Sequence, residues 1–175
     1  MTQTTRIAIN GFGRIGRTIL RQILTTLSHD DIEVVLINDI APLETCAYLF
    51  KYDSTFGPLP CAVTVGDSVL IVGEAKIPFS AISDISVCDL SGVDVLLECT
   101  GKVNSRDVAE RGLQAGAGVV LISGPSQHAD ITTVMGANEQ DTGDARIISN
   151  SSCTTNAIAP LLRAIDDAYG IEHAH

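Results

Sequence analysis

The stretch from residue 6 to residue 39 constrains this chain more than any other. Residues 6–10, with Ile7, Ala8 and Ile9, run into Gly11 and read as a short buried strand. From Arg14 the period changes. Ile15, Ile19 and Ile23 recur every four residues, with Leu20, Leu24 and Leu27 beside them, as on the apolar face of a helix. Ser28, His29, Asp30 and Asp31 make a polar break, and residues 32–37 form a second apolar run that ends at Asn38 and Asp39. Strand, glycine turn, helix and strand in that order require a right-handed crossover and two parallel strands. The fold class expected is α/β, a doubly wound and mostly parallel sheet flanked by helices.

The remainder fits that frame. Pro42 opens a short helix through Leu43, Ala47 and Phe50, and residues 56–60 read as a Gly/Pro loop. Residues 63–65 and 69–72 flank Gly66-Asp67-Ser68 as a hairpin, while residues 75–91 give no clear pattern. Residues 93–99 are a further strand, and residues 105–115 a helix capped by Asn104 or Ser105. Strands are expected at 118–123, 131–135 and 146–149, and a last helix, with Pro160 inside it, carries Ile158, Leu161, Leu162 and Ile165.

With 175 residues, 45% of them apolar and 18% charged, the chain has the size of one globular domain. A net charge of −10 argues against a nucleic-acid partner, because phosphate neutralisation needs a basic face. No apolar run is long enough to span a bilayer, and the polar N-terminus has no signal-peptide core, so a cytoplasmic protein with no membrane partner is expected. The five cysteines are odd in number and lack a C-x-x-C pair, which fits neither a disulfide framework nor a metal site.

Gly11-Phe12-Gly13-Arg14-Ile15-Gly16 fits G-x-G-x-x-G between a strand and a helix. Gly11 permits the tight turn, Gly13 lets a pyrophosphate approach the backbone, and Gly16 lets helix and strand pack closely. Free N–H groups at the helix start favour the negative charge. Asp39, at the end of the second strand, has the place of a carboxylate that takes both ribose hydroxyls and repels a 2′-phosphate, so NAD is the cofactor expected. Arg14 is either a pyrophosphate contact or a solvated first-turn residue. Thr100-Gly101 and Ser123-Gly124 follow buried strands on the edge where cofactors bind, and are either contacts or ordinary loops.

Cys153 differs from the other four cysteines. It stands among Ser151, Ser152, Thr154, Thr155 and Asn156 at a helix start, where the dipole favours a thiolate. The competing reading is a capping cluster beside a passive thiol. His29, His128, His173 and His175 read as solvated.

Residues 9–17 (Ile-Asn-Gly-Phe-Gly-Arg-Ile-Gly-Arg), 37–39, 49–54, 98–101, 134–138 and 149–156 (Ser-Asn-Ser-Ser-Cys-Thr-Thr-Asn) together resemble phosphorylating glyceraldehyde-3-phosphate dehydrogenase over essentially the whole chain. Erythrose-4-phosphate dehydrogenase is a close relative, and residues 166–172 look more like it. The resemblance implies a Rossmann-type nucleotide domain over 1–152, with 153–175 as the start of a catalytic domain. It implies that Gly11, Phe12, Gly13, Arg14, Ile15 and Gly16 hold the pyrophosphate, that Asp39 holds the adenosine ribose, and that Thr100, Gly101 and Ser123 line the cleft. Cys153 is then the nucleophile toward a phosphorylated aldehyde, giving a thiohemiacetal and, after oxidation by NAD, a thioester attacked by inorganic phosphate. Ser152 and Thr154 help bind that phosphate, and a homo-oligomer is implied.

This sequence also departs from the family. The activating histidine of the family follows a Thr-Thr-x-His pattern beyond residue 175, so a truncated chain, inactive alone and with an exposed apolar face, is expected. Lys102, Val103 and Gly124 are atypical near the cleft. Two other functions compete with that of a dehydrogenase fragment: a stand-alone NAD-binding or interaction module, and a redox-responsive thiol at Cys153.

Overall fold

The computed structural model describes residues 4–25 and 31–173. Leu27, Ser28, His29, Asp30 and His175, named above, lie outside the described residues. Strand β1 (Thr5–Asn10) leads through the glycine turn into helix α1 (Arg14–Thr25), which crosses to β2 (Ile32–Asn38). Helix α2 (Leu43–Lys51) follows, then a small antiparallel ribbon of β3 (Tyr52–Asp53) and β4 (Gly57–Pro58) where the sequence suggested only a loop. The hairpin of β5 (Val63–Gly66) and β6 (Val69–Val72) continues into β7 (Ala75–Ser80). A single 3-10 turn, Ile85–Val87, precedes β8 (Val95–Glu98). Helix α3 (Arg106–Gln114) crosses to β9 (Val119–Ile122), and β10 (Ile131–Thr132), β11 (Ile147–Ser149) and helix α4 (Cys153–Tyr169) complete the chain.

The sheet order is β10-β11-β9-β8-β1-β2-β7-β6-β5. The central pairs β1–β2, β1–β8 and β8–β9 are parallel, as the two helical crossovers demand. Strand order reverses at β1, so a crevice opens beyond Asn10 at the carboxyl edge. The unreadable stretch contains β7, whose Pro78 sits opposite Val69 of β6 at an exposed position of the strand.

Alternate residues of the central strands feed two cores. Ile7, Ile9 and Leu97 join Leu20 of α1 and Ala47 and Phe50 of α2 on one face. Ala8, Leu96 and Val120 join Ala109 of α3 on the other. Burial of these side chains contributes about 1.5–3 kcal/mol each for the larger ones. Within α1 the innermost line is Gly16 and Leu20, whereas Ile15 of the expected stripe is half exposed. Ser105 caps α3, its hydroxyl accepting the Val108 N–H. No residue of α4 is buried. Among the described residues no helix is long and apolar enough to cross a membrane.

Candidate functional site

The glycine loop shows three different needs at three positions. Gly11 has φ +94°, and a Cβ there would meet the backbone of Cys99 and Thr100 at 2.7 Å. At Gly16 a Cβ would lie 2.3 Å from the Gly11 carbonyl oxygen. At Gly13 a Cβ would meet nothing within 4 Å. The first and third glycines therefore close the turn and seat α1 on the sheet, while the second leaves backbone open to whatever approaches. Phe12 buries its ring 5.6 Å from that of Phe50 and offers the loop only its main chain. Its N–H donates to Asp39 Oδ2 at 2.6 Å, and the other oxygen, Oδ1, accepts from Ala41 N at 2.8 Å. Asp39 is thus pinned at the loop, with acceptor capacity to spare for two hydroxyls.

A cleft of about 280 Å³ lies over this edge, lined by Gly11, Gly13, Asp39, Ile40, Thr100 and Lys102 among others. Beneath it runs a polar row that sequence reasoning missed. Asn10, Asn38 and Glu98 end β1, β2 and β8 and are almost fully buried. Asn10 is in register with both Asn38 and Glu98. Asn10 Nδ2 donates to Glu98 Oε2 at 2.5 Å, and Asn38 Nδ2 donates to Asn10 Oδ1 at 2.8 Å. Glu98 Oε1 accepts from Thr100 N at 2.9 Å and from the Thr100 hydroxyl. Asn38 Oδ1 accepts from Ser80 Oγ at 2.7 Å and Ile82 N at 2.9 Å. The available signal was a polar residue closing each of three apolar strands.

A second cavity, about 450 Å³, lies on the α1 face and is lined by Ile15, Ile19, Leu97, Cys99, Leu121, Ser123, Cys153 and Asn156, among others. Cys153 is exposed at the first position of α4. The turn into that helix needs a left-handed Ser151, φ +62°. Ser152 is the N-cap, accepting the Thr155 N–H at 3.1 Å. The Ser152 hydroxyl also lies 3.1 Å from that of Thr154. Asn156 Nδ2 reaches back to the Asn150 carbonyl at 2.6 Å and the Ser152 carbonyl at 3.0 Å, which holds the helix start to the end of β11. Burial pushes the Cys46 and Cys99 thiols up to about 11. Cysteines in such surroundings are inert.

The structure therefore brings Gly11, Gly13, Asp39 and Thr100 to one cleft, and Ile15, Ser123 and Cys153 to the adjoining cavity; Cys99 lines both. Arg14 lies outside both linings, on the side of Asp53. Gly101 takes φ +68° in the loop after β8, with open space around it. Among the described residues no histidine lines either cavity. His173 follows the far end of α4, whose length sets Tyr169 about 24 Å from Cys153.

Residues 5–106 match the family described as glyceraldehyde 3-phosphate dehydrogenase, NAD binding domain. Among curated relatives, glyceraldehyde-3-phosphate dehydrogenase of Xanthobacter flavus is 46% identical over 97% of this chain and 51% of its own length. The enzyme of the same name from Cereibacter sphaeroides is 45% identical over 96% of this chain and 50% of its own. That of Chlamydia muridarum is 48% identical over 95% and 50%. The chain spans about half the length of these relatives. A doubly wound sheet, an open glycine loop and a match over more than half of its residues agree: the chain belongs to the glyceraldehyde-3-phosphate dehydrogenase family and carries its NAD-binding domain.

Proposed function

We propose that this chain is the nucleotide-binding part of a phosphorylating aldehyde dehydrogenase, holding NAD across the carboxyl edge of its sheet and presenting Cys153 to the substrate. The observation that supports this best is the contrast within the glycine loop. Two glycines are forced by backbone contacts, and the third, Gly13, is open and lines the cleft. A side chain at Gly13 would fill the cradle where a pyrophosphate meets main-chain N–H groups. In this reading the backbone of residues 11–16 holds the pyrophosphate, with Arg14 beside it, and Asp39 takes the adenosine ribose. Thr100 borders the first cleft, with Gly101 in the loop beside it, and Ser123 borders the second.

NAD, when bound, supplies a hydride acceptor. The chain's own residues bind and position. The helix dipole at the start of α4 stabilises a Cys153 thiolate, which attacks the carbonyl carbon of a phosphorylated aldehyde. Ser152 and Thr154 offer hydroxyls to inorganic phosphate or to the substrate phosphate. The division falls after Ser152: residues 1–152 form the nucleotide domain and 153–175 begin the catalytic one, in keeping with a helix that buries nothing against the sheet. A homo-oligomer in a reducing, cytoplasmic setting completes the proposal.

Calorimetric titration tests it. Saturable binding of NAD, much weaker binding of NADP, and loss of both preference and affinity in Asp39→Ala are expected; equal affinity for NADP would sink the assignment of Asp39. A second reading, a binding module without catalysis, is favoured by a Cys153 cavity that has no histidine in its lining among the described residues. Loss of a general base costs roughly 10²–10⁴ in rate. The 175-residue chain should therefore bind NAD yet make little NADH from aldehyde and phosphate. Rapid phosphate-dependent NADH production would exclude the module.

A further inference from the structure

The buried row under the first cleft does more than satisfy its own polar atoms. We propose that Glu98 is a positioning residue for the nucleotide: its acceptor-only carboxylate fixes the Thr100 loop and the amide of Asn10, which meets an Asn38 amide held from the far side by Ile82, and so joins both walls of the cleft. This inference rests on the NAD reading above.

The argument follows donors and acceptors. An ionised carboxylate donates nothing. Thr100 N, at 2.9 Å, and the Thr100 hydroxyl must therefore donate to Oε1, which fixes the loop after β8. Asn10 must turn its Nδ2 to Oε2, which leaves its Oδ1 facing β2. Asn38 is oriented from the other side by Ile82, whose carbonyl accepts its Nδ2 at 2.9 Å, and the same Nδ2 meets Asn10 Oδ1 at 2.8 Å. The Asn38 Oδ1 is left for Ser80 Oγ and Ile82 N on the far side. The row thus runs unbroken from β8 to β7, in the order β8-β1-β2-β7, because the orientation set at Glu98 agrees with the one that Ile82 sets at the other end.

The fixed elements bear on the cleft. The Asn38 carbonyl accepts the Gly11 N–H at 2.8 Å, so the residue at the far side of the relay also holds the glycine turn. Asp39 is the next residue, and its carboxylate takes the Phe12 N–H. One wall is the loop at Thr100 and Lys102, and the other is Asp39 with Ile82 and Ser83. Glu98 itself is absent from the lining. A glutamine at 98 has one oxygen and one NH2 group, so it satisfies Thr100 or Asn10 but not both. Flipping Asn10 to accept would set its NH2 against that of Asn38.

The test is nucleotide binding by the full chain, with NAD and AMP as probes, for the parent, Glu98→Gln and Ser80→Ala, alongside thermal melting. Glu98→Gln is expected to lose roughly tenfold in NAD affinity, the size of one charge-assisted hydrogen bond. Ser80→Ala removes one of the two donors to Asn38 Oδ1 at a residue that does not line the cleft, and is expected to lose about twofold to fivefold with its melting temperature nearly kept. AMP should lose about as much as NAD in Glu98→Gln, because both walls belong to the cleft that takes the adenosine half. Parent-like NAD affinity in a folded Glu98→Gln, or in Ser80→Ala should Glu98→Gln not fold, overturns the inference and leaves the NAD reading standing. If the parent binds neither NAD nor AMP at millimolar concentration, the NAD reading fails and the inference fails with it.

Discussion

At the scale of single residues, neighbouring glycines that look alike in the sequence have opposite physical roles. Gly16→Ala would drive a Cβ to 2.3 Å from the Gly11 carbonyl oxygen. Overpacking of that kind costs about 1–3 kcal/mol. Gly13→Ala meets no atom within 4 Å and should leave the melting temperature near the parent's, or raise it slightly, while lowering NAD affinity. Paired melts and titrations of the two variants check this, and a Gly13→Ala protein that binds NAD as the parent does would remove Gly13 from the cradle. The cysteines separate in the same way. At pH 8 a thiol held near 11 is about one part in a thousand thiolate. Mass-mapped iodoacetamide labelling should therefore modify exposed Cys153 well before Cys46 and Cys99. Cys153 labelling as slowly as those two would count against a nucleophile. The glycine pattern and the Cys153 cluster were legible because each is a local string. The Asn10–Glu98 bond was not, since its partners lie 88 positions apart and meet only through strand register.

At the scale of elements, legibility followed how much of an element's stability is local. Helix α3 announced itself through Ser105 and its apolar period, and its cap formed as the spacing implied. Ser105→Ala should cost about 1 kcal/mol, read as a drop in melting temperature. Strand β10 is shorter than its apolar run suggested, because after Thr132 the chain turns: Val134 N donates to Asn138 Oδ1 at 2.8 Å. Strand β7 was hidden for another reason. It takes most of its partners from the antiparallel hairpin and only Ile37 and Asn38 from β2, a pairing no local pattern encodes. Helix α4 was read correctly as a helix, yet none of its residues is fully buried, so its amides have less of the tertiary packing that protects α1. Hydrogen exchange should be fastest in α4 and slowest in β1 and β8. Equal protection would mean that α4 is covered.

For the molecule as a whole, the titrating groups bound the stable range of pH. Asp53 is drawn below its ordinary value of 3.8 by the N–H groups of Phe56 and Thr55. At Asp130 burial pulls the other way, but the N–H of Ile147, the Arg106 guanidinium and the N–H of Arg146 prevail and hold it low. Such carboxyls stabilise the fold above 3.8, and that stability is lost as pH falls through their lower folded values. The thiols of Cys46 and Cys99 act at the other limit. They titrate near 9 when unfolded and about 11 when folded, so their contribution is complete below 9 and is lost as pH rises toward 11. Melting temperature against pH should give a plateau with an acid shoulder below about 4 and an alkaline one above about 9. Cys46→Ala with Cys99→Ala should weaken the alkaline shoulder alone. The exposed Ile158, Leu161, Leu162 and Ile165 make a second expectation: light scattering should rise with concentration, and a strictly monomeric chain would argue against an apolar docking face. The left-handed Ser151 and the Asn156 tie make the start of α4 a fulcrum, with the helix as a long arm. A swing of about 5° there carries Tyr169 roughly 2 Å through space, while Cys153, one step from the pivot, shifts by only about 0.1–0.2 Å. The Cys153 sulfur sits where leverage vanishes, so the outer arm can be displaced without dragging the thiol from its cavity.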